Sequence, residues 1–312
     1  MKLNPDGQII WIKQIEYNGS QQHILTVVDS EDNIYILGSN GTSVDGVTTT
    51  GNNVLLKLSP QGEVIWSIPI GEPFSFQGVP IPTPMAINSR DEIIVLQHYV
   101  DTVEFAGEVF PSSPDTFSIL ISMVDSDGNE LRAAQIRDTI KLDAKTVCVT
   151  PYDDIVVTGR YWYRPQFDTI TLEGDNGFIA KLNHDLDFVN VKNMYLPIMR
   201  EGMINGAGIF YVGDFDLMLY LEKYDFDLNL LERVFIGGGN PNNEYGISLS
   251  SFRNNETLVG GNYVHTMDVG QFVAPGDDSQ FRILLARWGC SLGSDSDDCI
   301  NLSLIHISEP TR

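Results

Sequence analysis

Few residues in this chain have both the type and the spacing to do chemistry. Asp125-Ser126-Asp127-Gly128-Asn129-Glu130 resembles half of a calcium loop, with oxygen donors on Asp125, Asp127 and Asn129 at alternate places. Similar stretches, Asn4-Pro5-Asp6-Gly7 and Ser59-Pro60-Gln61-Gly62, occur elsewhere. A hairpin turn wants those residues for backbone reasons alone, so a turn is the first expectation and calcium the alternative. Tyr161-Trp162-Tyr163-Arg164 is the densest aromatic run. Rings beside an Arg can hold a sugar or a peptide, or they can simply cap apolar surface. Asp153 and Asp154 form a carboxylate pair, which would serve glycoside hydrolysis only at the right separation in space. Cys290 and Cys299 flank the acidic loop 291–298 and could close a short disulfide in an exported protein.

Other chemistries lack their residues. The five histidines are scattered, and no His-x-x-x-His or Cys-x-x-Cys occurs, which argues against zinc or iron. There is no Gly-x-Ser-x-Gly elbow and no phosphate loop ending in Lys-Ser/Thr. The expected cofactor is none, with calcium the one ion that the acidic loops allow. A formal charge of −23, from 42 acidic and 19 basic residues, argues against nucleic acid and anionic lipid as partners. A protein or carbohydrate ligand remains, bound by a self-repelling and monomeric chain. No apolar run approaches the length of a transmembrane helix, and Met1-Lys2-Leu3-Asn4-Pro5-Asp6 does not begin a signal peptide.

The elements that must position these residues are repeats. Lys57-Leu58-Ser59-Pro60-Gln61-Gly62-Glu63-Val64-Ile65-Trp66 restates Lys2-Leu3-Asn4-Pro5-Asp6-Gly7-Gln8-Ile9-Ile10-Trp11. The anchor Lys recurs in place at Met123, Lys181, Lys223 and Arg287. The turn Gly falls five places later at Gly7, Gly62 and Gly128 and gives way to Leu186 and Leu228. The Trp nine places after the anchor gives way to Arg132, Asn190 and Glu232. Upstream of each anchor from Lys57 onward lies a β-branched or aromatic run bounded by turn residues, such as Asp32-Asn33-Ile34-Tyr35-Ile36-Leu37-Gly38.

Each unit reads as four strands, A to D, with a variable loop between B and C. In the first unit these fall near 23–29, 33–39, 53–59 and 63–70. Phe215, Leu217, Leu219 and Leu221 alternate with polar neighbours, so even the best helical rival reads as a strand. The fold class is therefore all-β: a β-propeller of four-stranded antiparallel blades, about five of them, over 1–290. A lone D strand near Gln8 to Ile15 is expected to complete the last blade and close the ring, removing two exposed edges. Residues 291–312 are expected outside the fold, and Ile305 to Arg312 look like sequencing-adapter read-through. The chain could equally be a fragment of a larger ring.

Taken together, Asp-turn-Tyr-strand-Gly followed by strand-Lys-Leu-turn-Gly-strand-Trp resembles the SBBP-type β-propeller repeat family, most closely over 28–71 and again over 235–288. That resemblance implies a secreted or surface-attached bacterial interaction scaffold without assigned catalysis, and it carries over no catalytic residue. Two enzymatic readings stand beside it. One is a quinoprotein-type dehydrogenase, whose blades also place Trp after a turn Gly; against it, the Trp disappears after two units and no Ala-x-Asp-x-x-Thr-Gly run precedes it. The other is a polysaccharide lyase or hydrolase using carboxylates on the propeller face.

Overall fold

The computed structural model describes residues 1–16, 25–39, 43–44, 47–48, 53–70, 75–76, 79–80, 84–112, 117–137, 142–174, 176–195, 198–215, 218–238, 248–251, 257–263, 267–269, 272–274, 282–288 and 303–306. Among them are strands and turns and no helix. Their β-branched and aromatic runs, punctuated by Asp, Asn and Gly, pair into antiparallel sheets in strand order A-B-C-D. Sheet 1 holds Leu25–Val28, Ile34–Ser39, Asn53–Leu58 and Val64–Pro69. Sheet 2 holds Met85–Ile87, Ile93–Tyr99, Ser118–Val124 and Glu130–Arg137. Sheet 3 holds Leu142–Val149, Ile155–Tyr161, Asn176–Leu182 and Phe188–Met194. Sheet 4 holds Ile198–Asn205, Gly208–Phe215, Met218–Tyr224 and Leu230–Gly238. Sheet 5 holds Ser248–Ser251, Thr257–Tyr263, Arg282–Trp288 and Ser303–His306.

The A strands of consecutive sheets lie side by side. The sheets therefore stack as blades do in a β-propeller, with A on the inside and D on the outside. Because a blade lying between two others is covered on both faces, alternate residues of one strand serve two cores. Tyr35 and Leu37 pack with Ile93 and Val95 of sheet 2, whereas Ile36 packs with Leu56 and Leu58 on the other side of sheet 1. In sheet 2, Ile94 and Leu96 face Ile155, Val157 and Phe178 of sheet 3. Strand Ile93–Tyr99 is consequently buried along its whole length. Each fully buried Leu or Ile contributes roughly 1.5–3 kcal/mol relative to exposure.

The ends of the chain depart from the expected closure. Ile9–Trp11 pairs with Lys2–Leu3, forming a C–D hairpin of its own. Strand C of sheet 5, Arg282–Trp288, takes its outer partner from Ser303–His306, with Leu284 opposite His306 and Arg287 opposite Ser303. The outer place of the last sheet thus goes to the tail that was expected outside the fold, not to the N-terminal strand. Unsatisfied edge groups accept any strand-competent neighbour, and Ser303-Leu304-Ile305-His306 is short, apolar and near in sequence.

Both tight turns of a blade, A–B and C–D, lie at one end. In sheets 1 to 3 each spans four residues and ends in a left-handed residue, as at Asp32, Gly62, Asp91, Gly128 and Asp153. At C–D the register shifts at Lys57/Leu58, so the left-handed residue is taken up as a bulge. Leu186 and Leu228 hold that backbone without being Gly, at φ 65° and 62°. Their side chains are buried in the neighbouring cores. Burial of roughly 1.5–3 kcal/mol outweighs a left-handed penalty of roughly 1–2 kcal/mol.

The repeat's conserved-looking places join one blade to the next at this end. Lys2 Nζ and Trp11 Nε1 donate to the carbonyl of Pro60, at 3.3 and 3.0 Å. Lys57 Nζ and Trp66 Nε1 donate likewise to Ser126 O, at 3.0 and 3.2 Å. Arg132 Nη1 donates to His184 O at 3.2 Å, and Lys181 Nζ donates to Phe226 O at 3.0 Å. Every acceptor is the carbonyl three places after the next blade's anchor. The ninth-place Trp is thus one of several donors to the next turn, which is why Arg132 can replace it.

Two outcomes follow for stability. Leu228→Gly should destabilise by about 1 kcal/mol in urea unfolding although it relieves a left-handed Leu, because the lost burial is the larger effect. Trp66→Phe should cost about 1 kcal/mol beyond its small change in buried area, since it removes the indole donor to Ser126 O.

Candidate functional site

The tight-turn end is committed to structure, and the sequence's acidic candidates lie there. Asp125 Oδ1 accepts the backbone N–H groups of Asp127 and Asn129, at 2.9 and 2.8 Å, and Oδ2 accepts from the Asn129 amide at 2.9 Å. The first residue of the other turns does the same: Asn4, Asp29, Ser59, Asn88, Thr150 and Asp225 each accept from N–H groups two and four places on. The turn therefore uses the oxygens that calcium would require. Among the described residues, no group of three or more His, Cys, Asp or Glu is placed to hold a metal.

Asp153 and Asp154 are also structural. Asp153 accepts from Ser89 N at 3.0 Å and Ser89 Oγ at 2.6 Å, across the gap between sheets 2 and 3. Asp91 receives the same pair from Ser30, at 2.8 and 2.6 Å. Asp154 lies 3.5 Å from Lys181. Burial pushes the Asp153 carboxyl up, but the two Ser89 hydrogen bonds outweigh it and leave the group below the usual carboxylate range.

The loop end differs from blade to blade, as binding loops do on a rigid scaffold. Of the aromatic run, Tyr161 is wholly buried in the core between sheets 2 and 3. Its hydroxyl lies 2.6 Å from Asn193 Oδ1 and 3.0 Å from Glu173 O. It anchors the loop and presents nothing to a ligand. The period of two in strand Ile155–Tyr161 turns it inward. Trp162 is half-buried beneath the Arg160 guanidinium, 4.5 Å from the ring centre. Tyr163 is exposed under Arg164 at 5.4 Å, and Arg164 pairs with Glu173 at 3.0 Å.

The same loop then forms a small hairpin, Gln166–Phe167 with Ile170–Thr171. It crosses to the neighbouring blade and pairs with its outer strand, Arg137 opposite Gln166 and Ile136 opposite Phe167. Phe167 is buried against Phe178 and Phe188, with ring centres 5.1 and 5.5 Å apart. This crossing walls off a cleft of about 290 Å³ lined by Gln135, Arg137, Gln166, Asp168, Asp187 and the rings of Phe110 and Phe188. Arg137 Nη2 donates to Gln166 Oε1 at 3.3 Å, and Gln166 Nε2 donates to Asp168 O at 2.9 Å, which fixes the amide in place. The cleft thus offers a guanidinium, two carboxylates, fixed amides and aromatic flanks. Four separate segments supply it, so no motif in the sequence announces it.

A second polar group lies between sheets 2 and 3. His98 is buried, and its Nε2 accepts the Ala144 N–H at 3.0 Å and lies 3.5 Å from Asp143 Oδ1. Lys145 Nζ pairs with Asp143 Oδ2 at 2.7 Å. Burial raises the Asp143 carboxyl, and His98 and Lys145 together bring it below its ordinary value. The imidazole nitrogen that faces Asp143 is thus taken up by the Ala144 N–H, and the carboxylate is held by Lys145. Cys290 and Cys299 lie outside the described residues. Cys148 is half-buried.

No protein-family model matches the chain, and no curated protein matches it. Several solved structures are similar to it. One is a polysaccharide lyase of family PL25, an ulvan lyase, at 12% identity and TM-score 0.44, over 76% of this chain and 61% of that one. Another is a protein of unknown function from Bacteroides caccae, at 15% identity and TM-score 0.40, over 86% of this chain and 72% of that one. A third is the Dos1 propeller, at 12% identity and TM-score 0.43, over 87% of this chain and 58% of that one. The chain thus spans less than two thirds of the lyase and of the Dos1 propeller. These are likenesses in strand arrangement; the architecture rests on the pairing and stacking described above. Among the described residues, no helix is long and apolar enough to cross a membrane.

Asp153 carries a sign for pH. Its folded pKa is depressed, so its contribution is present above the unfolded value of about 3.9 and is lost as pH falls through the folded one. Asp153→Asn, which keeps a side chain tolerant of φ 63°, should cost about 1–2 kcal/mol at pH 7. The deficit relative to the parent should shrink as the pH is lowered from 5 towards 3 in urea titrations.

Proposed function

We propose that this chain is a non-catalytic β-propeller scaffold of the SBBP-repeat type, working outside the cell or on its surface, and that it binds carbohydrate in the cleft between sheets 2 and 3. The cleft carries the reading: an exposed Arg137, the Asp168 and Asp187 carboxylates and the fixed Gln166 amide sit beside the edges of Phe110 and Phe188. Such a mixture of planar polar groups and ring surface suits hydroxyl-rich ligands. Its volume, about 290 Å³, lies at the small end for ligand pockets and fits one or two sugar rings. The secreted or surface setting is supported by the repeat resemblance. A ring closed by about five blades belongs to the same proposal.

Screening on a glycan array followed by calorimetry should find a saturable carbohydrate ligand whose mixture with the protein yields no new reducing or unsaturated ends. Arg137→Ala should weaken it tenfold or more with little change in melting temperature, since Arg137 is exposed. Product release would replace the binder with an enzyme. Unchanged affinity in Arg137→Ala would remove the cleft from the reading.

A further inference from the structure

The blade-to-blade contacts repeat so regularly that the first of them shows what it lacks. The N-terminal hairpin Lys2–Leu3/Ile9–Trp11 covers sheet 1 as the C and D strands of a preceding blade would. Its Lys2 and Trp11 bind Pro60 O just as Lys57 and Trp66 bind Ser126 O. Among the described residues its sheet has two strands, where the five that follow each contain an A-B-C-D set. Where A and B strands would lie there is a groove of about 450 Å³, lined by Leu3, Trp11, Ile15, Thr26, Val28 and Ile34 among others.

Four observations specify what would fill it. Thr26 and Val28 are exposed, whereas Met85 and Ile87, at the same places one blade on, are covered by sheet 1. Lys57 and Lys181 each have a carboxylate from the A–B turn of their own sheet, Asp29 at 3.6 Å and Asp154 at 3.5 Å. Lys2 pairs instead with Asp32 of the next sheet, at 3.6 Å. Asp91 and Asp153 each accept two hydrogen bonds from a turn serine of the preceding blade. Asp32 holds the same left-handed place, at φ 65°, yet its side chain is 74% exposed. Lastly, Trp66 meets the Tyr35 ring edge-on at 5.8 Å, and Tyr35 lies opposite Lys57 in the ladder.

We infer that the groove beside the N-terminal hairpin is a docking site for one more A–B hairpin of the same repeat, with a turn of the type Asp-Ser-x-Asp-Asn-x-Tyr. Its B strand pairs with the open edge of Lys2–Leu3, as Ile34–Ser39 pairs with Asn53–Leu58. Its turn serine donates its N–H and O–H to Asp32, its first Asp meets Lys2, and its Tyr packs on Trp11. Aligned by sequence on Asp29-Ser30, the run before Thr257 reads Phe252-Arg253, which has neither the Asp nor the serine that this partner needs.

The probe is a labelled peptide of residues 25–39, which carries Asp29, Ser30, Asp32, Asn33 and Tyr35. Fluorescence anisotropy should show saturable one-to-one binding to the whole chain. Ser30→Ala in the peptide, or Asp32→Asn in the protein, should weaken it about tenfold, and a scrambled peptide should not bind. Circular dichroism checks that the protein variant is folded; Asn tolerates the left-handed backbone. Absence of saturable binding, or equal binding by the Ser30→Ala peptide, overturns the inference. So does a concentration-dependent dimer, seen by sedimentation without peptide, that blocks binding, because a second copy would then be the occupant.

Discussion

A carbonyl at the C–D turn of each blade, held by donors from the blade before it, is the contact on which this architecture depends. Face-to-face packing of flat apolar sheets has no strong preference for one sliding position, because dispersion and hydrophobic burial are non-directional. A hydrogen bond from an anchor Lys and a ninth-place side chain to one carbonyl does have such a preference. Lys57 and Trp66 on Ser126 O, Arg132 on His184 O and Lys181 on Phe226 O set the offset of each blade against the next. On the inner side, Ser30 on Asp91 and Ser89 on Asp153 do the same for the A–B turns.

Fixing one end so firmly frees the other. The turns at the tight end spend most of their carboxylates and amides on their own N–H groups, and Asp187 is the polar turn residue that lines the cleft. At the loop end the B–C segments vary in length, and those of sheets 1 and 3 pair beyond their own blade. The hairpin at Gln166–Thr171 covers the outer edge of sheet 2, and Ser43–Val44 pairs in the same manner with Ile15–Glu16. One device therefore hides a sheet edge that would otherwise template aggregation and creates a cleft between blades.

The left-handed turn positions show how sequence drift is tolerated. Gly7, Gly62 and Gly128 take that backbone without a side-chain penalty, and Asp32, Asp91 and Asp153 take it as small polar residues. Leu186 and Leu228 do so as large apolar ones because the neighbouring core encloses them. Loss of a recognisable Gly in the later repeats is thus a change of compensation at an unchanged backbone.

Strands, turns and their order were legible in the chain itself. Period-two patterning, Asp and Gly punctuation and the recurring Lys anchor are local properties, and the observed strands of sheet 1 lie within two residues of those read from the sequence. The Asp125 turn was legible too, since its relatives at Asn4 and Ser59 fall at the same place in the repeat. Only the tertiary structure decided how the ends pair, because an edge strand selects its partner by proximity and its hydrogen-bonding pattern carries no side-chain signature. Only the tertiary structure separated Tyr161, turned inward by strand alternation, from Trp162 and Tyr163 beside it. The cleft was likewise beyond sequence, since Arg137, Gln166, Asp168 and Asp187 meet through a hairpin that crosses between blades. The spacing of the residues describes the repeat, whereas the site belongs to the gaps between repeats.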